Sequence, residues 1–198
     1  MVTTTFLLIR HGICDHVGIK LAGRRPGIHL NQEGRVQAEE LVSVLQGQKM
    51  DAIYSSPLER TRETAGPLAR ARNLPIQISE AFTEVDYGDW TGRSIEELIA
   101  VPEWRNFHGF RSSIQIPGGE FLLGVQLRAV AELEKLRLSR LGQVIVVFSH
   151  SDILRSTIMH FLGAPLENLL RIEIPPISIT TLYLSERGPQ FGTIAQRR

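Results

Sequence analysis

The run Val144-Ile145-Val146-Val147-Phe148 constrains the fold of this chain more than any other feature. It is the most β-branched stretch present, and five apolar residues in a row suit a strand buried on both faces, not one with a wet side. Burial on both faces calls for helices above and below a parallel sheet. Phe6 to Ile9 reads as a second such strand, Ala52 to Tyr54 as a third, and Ile76 with Ile78 as a fourth. Between them lie helical patterns. Asn31 is a good cap for a helix carrying Ala38, Leu41 and Leu45 on one face, with Gly47 to end it. Leu122, Val125, Ala129, Leu133 and Leu136 keep helical spacing after the Pro117-Gly118-Gly119 hinge, and Ile153 to Leu162 is helical again. Ile177 to Leu184 alternates β-branched residues and is expected to close the sheet. Strands that alternate with helices predict an α/β three-layer sandwich, a mostly parallel central sheet with helices on both faces. With 198 residues, no repeat and no linker, one domain over 1–198 is expected, with 94–119 as a small lid-like insertion.

In open sheets of this kind ligands bind at the C-terminal ends of the strands. Three of those ends carry reactive side chains: Arg10-His11-Gly12, Ser55-Ser56-Pro57-Leu58-Glu59-Arg60 and Ser149-His150-Ser151. In the second, Ser56 is expected as helix cap, Pro57 as the first helical residue and Glu59 as the capping-box partner, leaving Arg60 in the first turn. A parallel sheet brings neighbouring strand ends to one edge, so two arginines and two histidines can converge there although the chain separates them. Guanidinium forks match phosphate oxygens, and nearby positive charge favours the neutral imidazole that can attack phosphorus. Phosphoryl transfer also needs a proton for the leaving alkoxide. Glu84 is the natural donor, with Asp86 and Asp89 as rivals in the same glycine-rich loop.

These motifs resemble the histidine phosphatase superfamily in its phosphoglycerate-mutase-like branch. The resemblance rests on Arg10-His11-Gly12, on Ser55 to Arg60 with Thr64-Ala65, on Glu84 followed by Gly88, Trp90 and Gly92, and on Ser149-His150. They occur in the family's order over nearly the whole chain. The resemblance implies that His11 is phosphorylated in a covalent intermediate. It implies that Arg10, Arg60 and His150 bind the phosphoryl group and that Glu84 is the general acid and base. The Gly23 to Leu30 loop and the helix with Gly34 and Gln37-Ala38 are also similar to a subgroup of this branch that carries a phosphomutase label. The chain departs from the family at Ile13, Cys14 and Val17, where polar residues are usual, and at Ser151, where glycine is usual. Ser151 offers a hydroxyl and a backbone N–H to a phosphate.

Other readings of the same residues are weaker. His11-x-x-Cys14-x-His16 has the spacing of zinc ligands, but a closed site lacks a fourth, so no metal and no cofactor is expected. Cys14 is not the nucleophile of a cysteine phosphatase, because Lys20 stands where that loop needs arginine. With Arg24 and Arg25 of the long loop, Cys14 is assigned instead to the rim of the substrate site. His29, His108 and His160 are expected to be ordinary surface or core histidines. Trp104, Phe107, His108, Phe110 and Arg111 form an aromatic and basic patch. It reads equally as a packed subdomain or as a lid that selects the substrate beyond its phosphate. A phosphate loop of the G-x-x-x-x-G-K type is missing, which disfavours nucleotide triphosphate hydrolysis.

Net charge is +1 and the longest apolar runs are short, so neither nucleic acid nor membrane is an expected partner. The first residues lack the pattern of a secretory signal, which leaves the cytoplasm as the expected location. The function expected is metal-independent hydrolysis of a small phosphomonoester through a phosphohistidine. Phosphoryl return to the substrate, as in a mutase, is the alternative, and so is a phosphate-binding protein that has lost catalysis. Phosphorylated sugars and glycerates, cobalamin-precursor phosphates and phosphopeptides all remain compatible substrates. Oligomeric state is not legible.

Overall fold

Alternate residues of the strands serve two separate cores in the computed structural model, which describes residues 2–196. Strand β1 (Thr4–Arg10) sends Phe6 and Leu8 into one core and Leu7 and Ile9 into the other. Strand β4 (Val144–Ser149) divides in the same way, Ile145 and Val147 against Val146 and Phe148. This is the period-2 geometry of a strand with both faces covered. Helices α1 (Gln32–Val44) and α2 (Glu59–Arg72) close one face through Leu41, Ala65 and Leu68. The other face is closed by α5 (Leu122–Ser139) and α6 (Ser151–Phe161), through residues such as Val125, Leu133 and Ile158. The short helices α3 (Ile95–Ile99) and α4 (Pro102–Gly109) contribute Leu98 and Phe107 to that same core.

The sheet runs β3-β2-β4-β1-β5-β6, with β2 (Ala52–Ser55) and β3 (Ile76–Ile78) on one side of β4. The first four strands in this order are parallel, and β5 (Ile179–Ser185) and β6 (Gly188–Gln196) are antiparallel. The expected mostly parallel sheet between helical layers is therefore present. Two details differ from the sequence reading. Ile177 to Leu184 does not close the sheet, because β6 pairs outside β5 as the edge strand. Strand β6 begins Gly188-Pro189, contains Gly192 and is interrupted by a register shift, which together hide its periodicity. Helix α2 also starts later than expected. Leu58, not Ser56, is its cap and makes no side-chain hydrogen bond; Ser56 Oγ accepts from Leu58 N–H and also meets His150, as described below.

Register decides what meets at the sheet edge. Arg10 pairs with Ser149 across β1 and β4, and Ser55 pairs with Phe148 across β2 and β4. His11 and His150 therefore leave β1 and β4 at one level, and Ser56 leaves β2 one residue short of it. The His11 loop is then pinned from behind. Gly12 N–H donates to Thr64 Oγ1 on α2, Ile13 N–H to Gln37 Oε1 on α1, and Asn31 caps α1 by accepting from Gly34 N–H. A Cβ on Gly34 would lie 2.1 Å from the Ile13 carbonyl oxygen, so this approach of helix to loop is open only to glycine. Gly34→Ala is expected to destabilise the protein by about 1–3 kcal/mol through overpacking. Denaturant unfolding measures this, and activity should fall with it because the displaced backbone carries His11.

Candidate active site

The three strand ends open into a cleft of about 350 Å³, lined by Arg10, His11, Arg60, Glu84 and Ser151 among others. His11 is 4% exposed, and its Nδ1 lies 2.7 Å from the Gly12 carbonyl oxygen. A carbonyl only accepts, so this contact assigns the proton to Nδ1 and leaves the Nε2 lone pair free. Burial, then Arg60 and Arg10, hold the His11 pKa well below the ordinary 6.5. The imidazole is thus neutral over the physiological range. His150 is fully buried, with its ring 5.3 Å from that of His11. Its Nε2 contacts Ser56 Oγ at 2.9 Å and its Nδ1 lies 3.7 Å from Glu84 Oε2. Burial, then Arg60, depress its pKa well below 6.5 as well.

Two guanidinium groups flank the imidazoles. Arg10 Nη1 donates to the Ile174 carbonyl and Arg60 Nη2 to the Gly23 carbonyl, at 2.7 and 2.9 Å. These bonds aim the forks without neutralising them. Arg10 Nε, Arg60 Nη1, His150 Nδ1 and Ser151 Oγ are all buried without a hydrogen-bond partner among the described residues. Buried polar atoms are rarely left so, and unpaired buried cations are costly. Arg10, Arg60 and Ser151 line one cleft, and His150 is buried behind it against His11, an arrangement of donors suited to an anion. Ser151 opens α6, so the positive end of that helix adds to the same field.

Glu84 enters from the loop after β3, with its side chain 13% exposed and Oε1 accepting from Val85 N–H at 2.9 Å. Burial first, and then the charge of Asp152, raise its pKa from 4.5 to about 7. That value suits a carboxyl group that must both give and take a proton near neutrality. Its rivals point elsewhere: Asp86 accepts from Gly88 N–H, and Asp89 sits against Gly118.

The sequence-derived rim divides. Cys14 and Val17 line the cleft, Cys14 being buried. Arg24 and Arg25 do not line it. The loop turns its backbone inward, the Gly23 carbonyl reaching Arg60, and this sends both arginines outward. Arg24 Nε donates to the Glu84 carbonyl and its Nη2 pairs with Glu120 at 2.8 Å, so it braces the acid loop from outside. Arg25 lies over Gly92. His108, expected to be an ordinary histidine, lines the cleft with Trp104, Phe107 and Arg111 of the 94–119 segment. Tyr87, Asp152 and Arg155 also line it, and none of the sequence motifs points to them. Asp152 and Arg155 lie one and four residues beyond Ser151 on α6, and their i, i+3 spacing just after the Ser149-His150 motif is the signal in the sequence. Among the described residues no group of three or more His, Cys, Asp or Glu side chains is arranged to hold a metal ion.

A covered α/β sheet with an imidazole and two guanidinium groups at its strand ends defines a class of protein built to handle phosphoryl groups. The family model of the histidine phosphatase superfamily (branch 1) matches residues 6–196, and the chain belongs to that superfamily. Phosphoserine phosphatase 1 of Hydrogenobacter thermophilus is 31% identical over 91% of this chain and 87% of its own length. The adenosylcobalamin/alpha-ribazole phosphatase of Escherichia coli is 29% identical over 84% of this chain and 83% of its own. A solved phosphoserine phosphatase variant from Entamoeba histolytica, in complex with phosphoserine, superposes with a TM-score of 0.88 at 25% identity. That match covers 98% of this chain and 97% of the other. No helix among the described residues is long and apolar enough to cross a membrane.

Proposed function

We propose that this protein hydrolyses a small phosphomonoester through a phosphohistidine at His11. The observation that carries this reading is the set of unpartnered buried donors around His11, on Arg10, Arg60, His150 and Ser151, which a phosphoryl group would satisfy. His11 Nε2 attacks phosphorus as the ester P–O bond breaks, and the departing alkoxide takes the proton of Glu84. Water then attacks the phosphohistidine while the Glu84 carboxylate accepts its proton. The P–N bond breaks, inorganic phosphate leaves and the free imidazole returns. Arg10, Arg60 and His150 hold the oxygens through both steps, which is the positioning and charge stabilisation that phosphoryl transfer demands. The cleft is at the small end of ligand pockets, which favours a metabolite over a phosphopeptide.

The test is release of inorganic phosphate from an aryl phosphate and from a panel of phosphometabolites. Turnover should persist in the presence of a chelator, because side-chain cations carry the charge. Exchange of phosphate between positions of a phosphoglycerate without net release would identify a mutase instead. An absence of hydrolysis across the panel at acid to neutral pH would point to a phosphate-binding protein.

A further inference from the structure

Being neutral, His150 carries a hydrogen on one ring nitrogen and a lone pair on the other. The choice matters, because a phosphoryl oxygen meets a donor in one tautomer and a lone pair in the other. For His11 the Gly12 carbonyl settles the question; for His150 a hydroxyl must. The one hydrogen-bond neighbour of its ring among the described residues is Ser56 Oγ, 2.9 Å from Nε2. Nδ1 is buried without a partner, on the side of the ring towards Glu84, whose Oε2 at 3.7 Å is too far to bond.

Ser56 is held from several sides. Its N–H donates to the Phe148 carbonyl at 3.0 Å, and its own carbonyl accepts from Ser55 Oγ and Thr61 Oγ1. Leu58 N–H donates to Ser56 Oγ at 3.3 Å. The residue is 0% exposed, so its hydroxyl hydrogen is shielded from solvent. An amide N–H gives a hydrogen and cannot take one, which leaves His150 Nε2 as the sole acceptor in reach of that hydroxyl among the described residues. In the reverse arrangement Nε2–H would donate to Oγ. The oxygen would then receive two donors while its own hydrogen stayed buried and unbonded, which costs about as much as a lost hydrogen bond. It would also turn the Nδ1 lone pair towards Glu84 and the anion.

We infer that Ser56 is a positioning residue: it donates to His150 Nε2 and so fixes the tautomer with its hydrogen on Nδ1, from which His150 donates to a phosphoryl oxygen. The identity of the anion rests on the phosphomonoesterase reading above, and the tautomer on the Ser56 contacts alone. Ser56 does not line the cleft and acts only through His150.

Histidine spectra test it. In protein carrying nitrogen-labelled histidine, two-bond proton–nitrogen correlations at neutral pH report which ring nitrogen holds the hydrogen, and His150→Asn identifies the signal by its loss. The wild-type protein should show His150 in the Nδ1–H form. In Ser56→Ala neither ring nitrogen has a partner, the two forms compete, and the Nδ1–H population should fall. Affinity for inorganic phosphate, measured by calorimetric titration, should weaken by about 3- to 10-fold, as for a binding-competent form that has become a minority. Ser56→Thr keeps the hydroxyl and should keep both the tautomer and the affinity. A folded Ser56→Thr protein that behaves as Ser56→Ala does would overturn the inference. So would Nε2–H in the wild type, an Nδ1–H signal undiminished in Ser56→Ala, or a tautomer change without loss of phosphate affinity. A packing role alone would lower the stability of Ser56→Ala and leave its histidine spectrum in place. The spectrum is read without substrate, which separates this inference from the hydrolytic reading. A protein that hydrolyses no phosphomonoester, yet shows the Ser56-dependent tautomer and phosphate affinity, would sustain the first and reject the second. Turnover alongside Nε2–H would do the reverse.

Discussion

His11→Ala is expected to lower kcat by about 10⁴-fold or more, because the proposed phosphohistidine loses its nitrogen and nothing else in the cleft replaces it. The two histidines are not equivalent. His11 has its Nδ1 proton committed to the Gly12 carbonyl and its Nε2 free, whereas His150 has Nε2 against Ser56 Oγ and Nδ1 towards Glu84. The proposed mechanism therefore takes its nucleophile from His11 alone. Wild-type protein quenched during turnover of a phosphorus-labelled aryl phosphate should carry acid-labile label, and His11→Ala should carry none. Label retained in His11→Ala would move the nucleophile elsewhere. Because both imidazoles are held neutral by burial and by the adjacent guanidinium groups, the acid limb of kcat/KM should fall well below pH 6.5.

Glu84→Gln is expected to cost about 10²- to 10⁴-fold in kcat, the usual worth of a general acid and base, and to do so unevenly between substrates. An alkyl phosphate needs its leaving oxygen protonated and should lose most. An aryl phosphate leaves without that help, so the variant should still be phosphorylated but hydrolyse slowly, and phosphohistidine should accumulate. The pH dependence has a definite sign. Glu84 keeps its proton up to about pH 7 because burial and Asp152 oppose its ionisation. Activity on alkyl phosphates should therefore fall as pH rises through 7, and Glu84→Gln should abolish that limb. Stability follows the same linkage. The unfolded carboxyl ionises near 4.5 while the folded one holds its proton to about 7, so Glu84 makes the protein less stable as pH rises across that interval. Glu84→Gln should flatten that slope, as denaturant unfolding at several pH values would show.

Much of the arrangement is legible in the sequence because its signals are local. Apolar runs such as Val144 to Phe148 require burial on both faces, and an α/β sheet with covered faces is the economical solution. A helix cap at Asn31 is visible in three or four residues, and it is where the structure has it. The polar strand ends at Arg10, Ser56 and Ser149 stood out because each follows an apolar run without transition. Their convergence follows from parallel pairing alone, since strands in register bring their C-termini to one edge.

What only the tertiary structure decided concerns directions and partners. Arg24 and Arg25 lie in the loop expected to form the rim, yet they turn outward, because the Gly23 carbonyl goes to Arg60 and sets which side of the loop faces the cleft. Edge strand β6 is built from residues with weak strand preference and is held by pairing with β5. Ser56 reads locally as a helix cap, but its hydroxyl accepts from Leu58 N–H ahead of the helix and meets His150 at the start of α6, and the cap falls to Leu58. Arg111 gives the plainest case, buried with its Nη2 unpartnered among the described residues. Nothing local separates a buried, unpaired arginine from an exposed one, because its state depends on Asp152, Glu167 and Phe107 as positioned by the fold. Periodicity and capping act over a few residues and can be read along a chain. The pairing of a buried charge depends on groups far apart in sequence, and only the folded molecule sets which of them meet.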